Sequence, residues 1–178
     1  MRDQNWLFAY GSLMWDPGFA VAERVIARLH GFHRSFCLRS VVYRGTPESP
    51  GLVLGLDEAQ GASCQGVALR VSDAEWPQVI AGVREREMST YAYREAVLPV
   101  ELADGRRVEA ITYVMQPDHD QYAGGLCATE QARIIATAIG GRGPNRDYLY
   151  NTAAHLAELG LPDPEMEALA AEVRKLST

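Results

Sequence analysis

The chain is expected to fold as an α+β protein: a twisted antiparallel sheet or small β-barrel with flanking helices. Three observations predict this. Apolar and β-branched runs separated by Gly, Pro and Ser clusters fill the first half. An Asp104-Gly105 hairpin signal joins two more such runs. Three- and four-residue spacing of apolar side chains takes over at residue 76 and again beyond Thr129. There is no internal repeat, linker or low-complexity tract, and 178 residues fit a single domain over residues 1–178.

Taken in order, strands are expected at Trp6 to Tyr10, Val25 to Leu38, Leu52 to Leu56 and Gln65 to Val71. Arg44 to Gly51 holds two prolines and two glycines, which leave no regular ladder, so it reads as a loop. Ser72-Asp73-Ala74-Glu75 has the form of a capping box, and a helix should follow with Trp76, Val79, Ile80 and Val83 on its buried stripe. Pro77 falls in its first turn, where a missing N–H costs little. Strands Ala96 to Leu102 and Val108 to Met115 flank the hairpin turn. A helix from Thr129 should bury Ile134, Ile135, Ala138 and Ile139 before Gly140-Gly141 stops it. Asn145 opens a second late helix, and Asp163-Pro164 a third.

Composition narrows the function classes. The net charge of −6 and the scattered basic residues oppose a phosphate backbone, so nucleic acid is not the expected partner. No apolar run approaches the ~20 residues of a membrane span, and the polar start Met-Arg-Asp-Gln-Asn lacks the apolar core of a signal peptide. A cytoplasmic location is expected. Cys37, Cys64 and Cys127 form no close pair and read as reduced, buried thiols.

The sharpest local feature is the passage from an apolar strand into Tyr10-Gly11-Ser12-Leu13. Glycine can adopt backbone angles closed to other residues and serine is small, so successive N–H groups there can converge on an oxygen. Two readings stay open: a tight corner, or a substrate cradle. Ser12 lacks the Gly-x-Ser-x-Gly pattern, so its amide and hydroxyl are expected to matter as donors rather than in attack.

Extending the stripe Trp76, Ile80, Val83 by four residues lands on Glu87, a carboxylate aimed at the core. Glu85 falls on the opposite face. Either the helix ends near Arg86 and Glu87 pairs with Arg86, Arg94 or solvent, or burial raises its pKa and makes it a proton shuttle. His30 and His33 point to opposite faces of a strand, and Asp118-His119-Asp120 reads as a solvated turn, so no metal site is expected.

Five segments in order resemble the ChaC-like family of glutathione-specific gamma-glutamylcyclotransferases. They are Tyr10-Gly11-Ser12-Leu13 with Trp15 and Pro17; Arg34-Ser35-Phe36-Cys37-Leu38; Arg44-Gly45-Thr46-Pro47 through Pro50-Gly51-Leu52; Arg86-Glu87-Met88 with Tyr91; and Gly143, Asn145 and Asp147-Tyr148-Leu149. The resemblance implies a gamma-glutamylcyclotransferase-like fold, a compact mixed/antiparallel β-barrel with flanking helices, no metal or organic cofactor, and glutathione as substrate. It implies that the α-amine of the gamma-glutamyl unit attacks its own γ-carbonyl, giving 5-oxoproline and cysteinyl-glycine. It assigns proton transfer to Glu87 and substrate binding to Tyr10, Gly11, Ser12, Leu13, Arg44, Tyr91, Asn145 and Tyr148. Arg44 also fits a structural salt bridge. Arg84 and Glu85 place charge where the resemblance leads one to expect apolar residues. The competing functions are a cyclotransferase for other gamma-glutamyl amines or amino acids, and a non-catalytic binding or regulatory module linked to cation transport. A monomer is expected.

Overall fold

Both faces of the first strand, β1 (Trp6–Ala9), are buried, so its sequence shows no alternation. The reason is its place in the sheet: it pairs antiparallel with β3 (Gly51–Arg70) and parallel with β5 (Arg107–Met115). The parallel pairing makes a mixed barrel, which closes in the order β1, β3, β2 (Glu23–Ser40), β4 (Tyr93–Leu102), β5. The computed structural model describes residues 5–88 and 92–177. The expected α+β barrel class is therefore observed.

By contact density the chain forms two units. The first is Met1–Arg34 with Leu56–Gln116, and the second is Ser35–Gly55 with Pro117–Thr178. The first unit holds β1, β4, β5, α1 (Trp76–Glu87) and the larger parts of β2 and β3. Its core is drawn from inward positions of the strands, among them Trp6, Phe8, Leu29, Phe32, Leu56, Val100 and Val114. Burying such side chains stabilises a fold by roughly 1.5–3 kcal/mol each. Gly66 lies opposite the end of β1, where a Cβ would sit 2.9 Å from the Phe8 ring, so glycine lets the two strands close just before Tyr10.

The second unit packs α2 (Ala128–Thr137), α3 (Asn145–Glu158) and α4 (Pro164–Leu176) on one another. Between α2 and α3, Ile139–Gly140 (β6) and Gly143–Pro144 (β7) form a two-stranded ribbon. The Asp163 side chain accepts the Met166 N–H and caps α4, as the sequence indicates.

Several boundaries differ from expectation. Leu52 to Leu56 and Gln65 to Val71 belong to one long strand, β3, because the polar stretch between them keeps extended pairing, with Gly61 alone at positive φ. Gly51 begins that strand instead of ending the loop. The Ser72–Glu75 box does not cap α1. Its hydroxyl donates to the Glu75 carboxylate at 3.0 Å, residues 73–75 form a turn, and the helix starts at Trp76. Helix α2 stops at Thr137, since Ala138 turns extended, and Ile139 joins the ribbon with 58% of its surface exposed. Cys37 and Cys64 are buried, but Cys127 is exposed because it occupies the N-cap of α2, where its N–H donates to Glu130.

Candidate active site

In the first unit, β1 ends at Ala9 and the chain enters a single 3-10 turn, Ser12–Met14. Tyr10 is held twice. Its carbonyl accepts from the Arg34 Nε at 2.7 Å, and its hydroxyl donates to the Tyr113 carbonyl at 2.9 Å. Arg34 is buried and its other arm donates to the Gln65 carbonyl, so the cation is a clamp between neighbouring strands. Gly11 has φ −135° and ψ −136°, outside the β and right-handed α regions that other residues favour. It accepts the Met14 N–H through its carbonyl, and Ser12 accepts those of Trp15 and Asp16. The amides that open such a turn have no carbonyl ahead of them within the helix and point outward as donors.

Glu87 is the last residue of α1, one position beyond the end foreseen in the bland alternative. Of the stripe that leads to it, Ile80 and Val83 are buried and Trp76 and Val79 half-buried, with Glu85 on the exposed side. Its side chain is 18% exposed and lies 3.9 Å from the Arg86 Nε, too far for a hydrogen bond. Burial therefore pushes its carboxyl above the usual carboxylate range, and the Arg86 guanidinium offsets only part of that rise.

Arg86 is occupied elsewhere. It donates to the Ser12 Oγ at 2.7 Å and to the Asp16 carbonyl at 3.1 Å, which ties the end of α1 to the 3-10 turn. Glu95 presents the opposite electrostatic case. Arg84 grips its carboxylate with two bonds of 2.8 and 3.2 Å, and the Tyr113 hydroxyl donates to it at 2.9 Å. The Arg84 bond holds Glu95 below the ordinary carboxylate range, while burial and then the Glu95 bond push the Tyr113 phenol up. Two carboxylates in one unit are thus driven apart, Glu95 lowered by its bond to Arg84 and Glu87 raised by burial. The unexpected charge at Arg84 is explained by this pair, and that at Glu85 by its exposure.

In the second unit, the Arg44 guanidinium donates to the carbonyls of Arg142 (3.0 Å) and Pro144 (3.2 Å) and lies 5.7 Å from the centre of the Tyr148 ring. Its anchors are main-chain carbonyls, not the carboxylate a structural salt bridge needs. The Tyr148 hydroxyl accepts the Leu54 N–H at 3.2 Å, and its ring meets Phe36 edge to face. Asn145 is fully buried: its Oδ1 accepts the Leu52 N–H and its Nδ2 donates to the Leu52 carbonyl, both at 2.8 Å. Tyr91 lies outside the described residues.

The structure thus brings Tyr10, Ser12 and the Arg86-Glu87 pair together in one unit, and Arg44, Asn145 and Tyr148 in the other. Leu13 is buried within the 3-10 turn. Sequence reasoning missed Glu95 and Tyr113. Counting back from the Asp104-Gly105 turn sets these two directly opposite each other in the hairpin, and that register was the available signal. Among the described residues no group of His, Cys, Asp and Glu could hold a metal ion, and no helix is long and apolar enough to cross a membrane.

A family model described as ChaC-like protein matches residues 5–176. The chain is similar to the glutathione-specific gamma-glutamylcyclotransferase of Escherichia coli (strain K12), with 39% identity over 96% of this chain and 73% of that protein. It is also similar to glutathione-specific gamma-glutamylcyclotransferase 1 of Homo sapiens, with 30% identity over 97% of this chain and 78% of that protein. Among solved structures, a yeast gamma-glutamyl cyclotransferase specific to glutathione superposes with a TM-score of 0.84 at 23% identity, over 97% of this chain and 99% of the other, a likeness of fold.

Proposed function

The chain belongs to the ChaC-like family, and we propose that it is a lyase that cleaves glutathione to 5-oxoproline and cysteinyl-glycine. The observation that carries this reading is Glu87: a carboxylate raised by burial, not bonded to its neighbouring cation, at the end of a helix tied to the Tyr10–Leu13 turn. The names of the relatives supply the substrate.

The α-amine of glutathione is an ammonium in water and must lose a proton to attack. Glu87 takes that proton, the amine nitrogen bonds to the γ-carbonyl carbon, and negative charge builds on the carbonyl oxygen. Amides at the start of the 3-10 turn and the Ser12 hydroxyl are the donors for that charge. The bond from the γ-carbon to the cysteine nitrogen then breaks as Glu87 returns the proton to that nitrogen, and the ring nitrogen, cationic after the attack, passes its second proton through Glu87 to the released amine, which leaves as an ammonium. The five-membered ring of 5-oxoproline closes without water, and every atom is accounted for without a cofactor. Nucleophile and electrophile share one molecule, so binding has mainly to hold the folded conformer.

Tyr10, Gly11, Ser12 and Leu13 bind the gamma-glutamyl end on this reading. Arg44 and Tyr148 are substrate-binding groups by resemblance, as is Tyr91. Asn145 serves by fixing the main chain at Leu52, to which both ends of its amide are committed. The reading takes the chain as one catalytic domain, which the single family match over residues 5–176 supports, acting in the cytoplasm as a monomer. Incubation with glutathione and with gamma-glutamyl-alanine, each followed for 5-oxoproline, tests it. Release from glutathione is expected, and turnover of the second compound alone would overturn the assignment.

A further inference from the structure

We infer that Arg86 is a positioning residue that fixes the polarity of the Ser12 hydroxyl, so that Ser12 donates its proton to the γ-carbonyl oxygen of the substrate. The inference rests on the proposed reaction and adds to it the source of one hydrogen bond and the residue that aims it. A guanidinium has donors only, so in the 2.7 Å contact the Ser12 Oγ is the acceptor. The hydroxyl proton must then point away from Arg86. A hydroxyl that accepts from a cation is also a stronger donor, because hydrogen bonds in series polarise one another. The second arm of Arg86 reaches the Asp16 carbonyl, while the Asp16 N–H donates to the Ser12 carbonyl. One side chain therefore spans the turn from its first residue to the residue that closes it. The same commitment keeps Arg86 at 3.9 Å from Glu87 and leaves that carboxylate without a tight ion pair.

The test is a double-mutant cycle on Ser12→Ala and Arg86→Gln, with Arg86→Lys as the conservative variant and thermal melts on every protein. Ser12→Ala should lower kcat by about 10²-fold, the scale of one lost donor to developing charge, with KM nearly unchanged. Arg86→Gln should lower kcat by about tenfold, and the double variant should be no slower than Ser12→Ala, because Arg86 acts through that hydroxyl. Arg86→Lys should recover part of the rate, and it carries the comparison if Arg86→Gln does not fold. Losses that simply multiply in the double variant, or a folded Arg86→Gln with wild-type kcat, would overturn the inference while leaving the proposed reaction intact. A wild-type protein that binds glutathione without releasing 5-oxoproline defeats the reaction, and the same non-additivity is then sought in calorimetric Kd values. A wild-type protein that binds no glutathione defeats both.

Discussion

Replacing Asn145 by alanine withdraws two hydrogen bonds at once from the fully buried Leu52 main chain, one that its N–H donates and one that its carbonyl accepts. A buried polar group stripped of its partner costs about 1–3 kcal/mol, so the pair should cost roughly 2–6 kcal/mol. For a chain of this length each kcal/mol lowers Tm by about 2–4 °C, which places the central expectation near a 10 °C drop. Urea denaturation of the wild type and of Asn145→Ala measures the loss directly. Asn145→Asp sharpens the test. Its carboxylate still accepts the Leu52 N–H but sets a second oxygen against the Leu52 carbonyl, so it should be unstable at neutral pH. It should regain stability in acid, where a protonated carboxyl can donate to that carbonyl. A loss below about 1 kcal/mol for Asn145→Ala would refute the view that this amide fixes the start of β3.

Other expectations follow from the same physics. Because burial raises the Glu87 carboxyl above its unfolded value, its contribution favours the fold at low pH and is lost as pH rises through the folded-state pKa. Glu87→Gln should then melt no lower than the wild type near neutral pH, with any gain shrinking in acid; a variant less stable at neutral pH would contradict this. Catalysis runs the other way, since the base must be unprotonated: kcat/KM should fall as pH drops through the raised Glu87 pKa, and an unchanged acid limb in Glu87→Gln would assign it to another group. A Cβ on Gly45 would lie 2.7 Å from the Pro50 carbonyl carbon and still closer to the Gly51 nitrogen, so Gly45→Ala should cost about 1–3 kcal/mol in the same denaturation assay. Wild-type stability there would show that the loop has room.

The sequence made legible what local pattern controls. The Asp104-Gly105 turn set the β4–β5 hairpin, and the stripe through Ile80 and Val83 led to Glu87. What it did not disclose depends on pairing between distant segments. The joining of two runs into β3 is decided by neighbouring strands, not by the polar residues between them. Ile139 looked like a continuation of α2, yet the ribbon pairing with Pro144 draws it out of the helix. In the site, Glu87 was visible as a carboxylate on the wrong face, but the engagement of Arg86 with Ser12, 74 positions away, leaves no trace in spacing. Asn145 stands out through resemblance alone, and the fold shows its amide closed on Leu52, 93 positions away.

The central claim is that Glu87 moves the proton in the cyclisation of glutathione. The most direct measurement is 5-oxoproline release by the wild type and by Glu87→Gln, with glutathione binding measured by calorimetry on the same preparations. Glutamine keeps the size of the side chain and removes the titratable site, so the account predicts a folded, glutathione-binding protein whose turnover is lower by about 10²–10⁴-fold. A Glu87→Gln variant that turns over glutathione at the wild-type rate would contradict it.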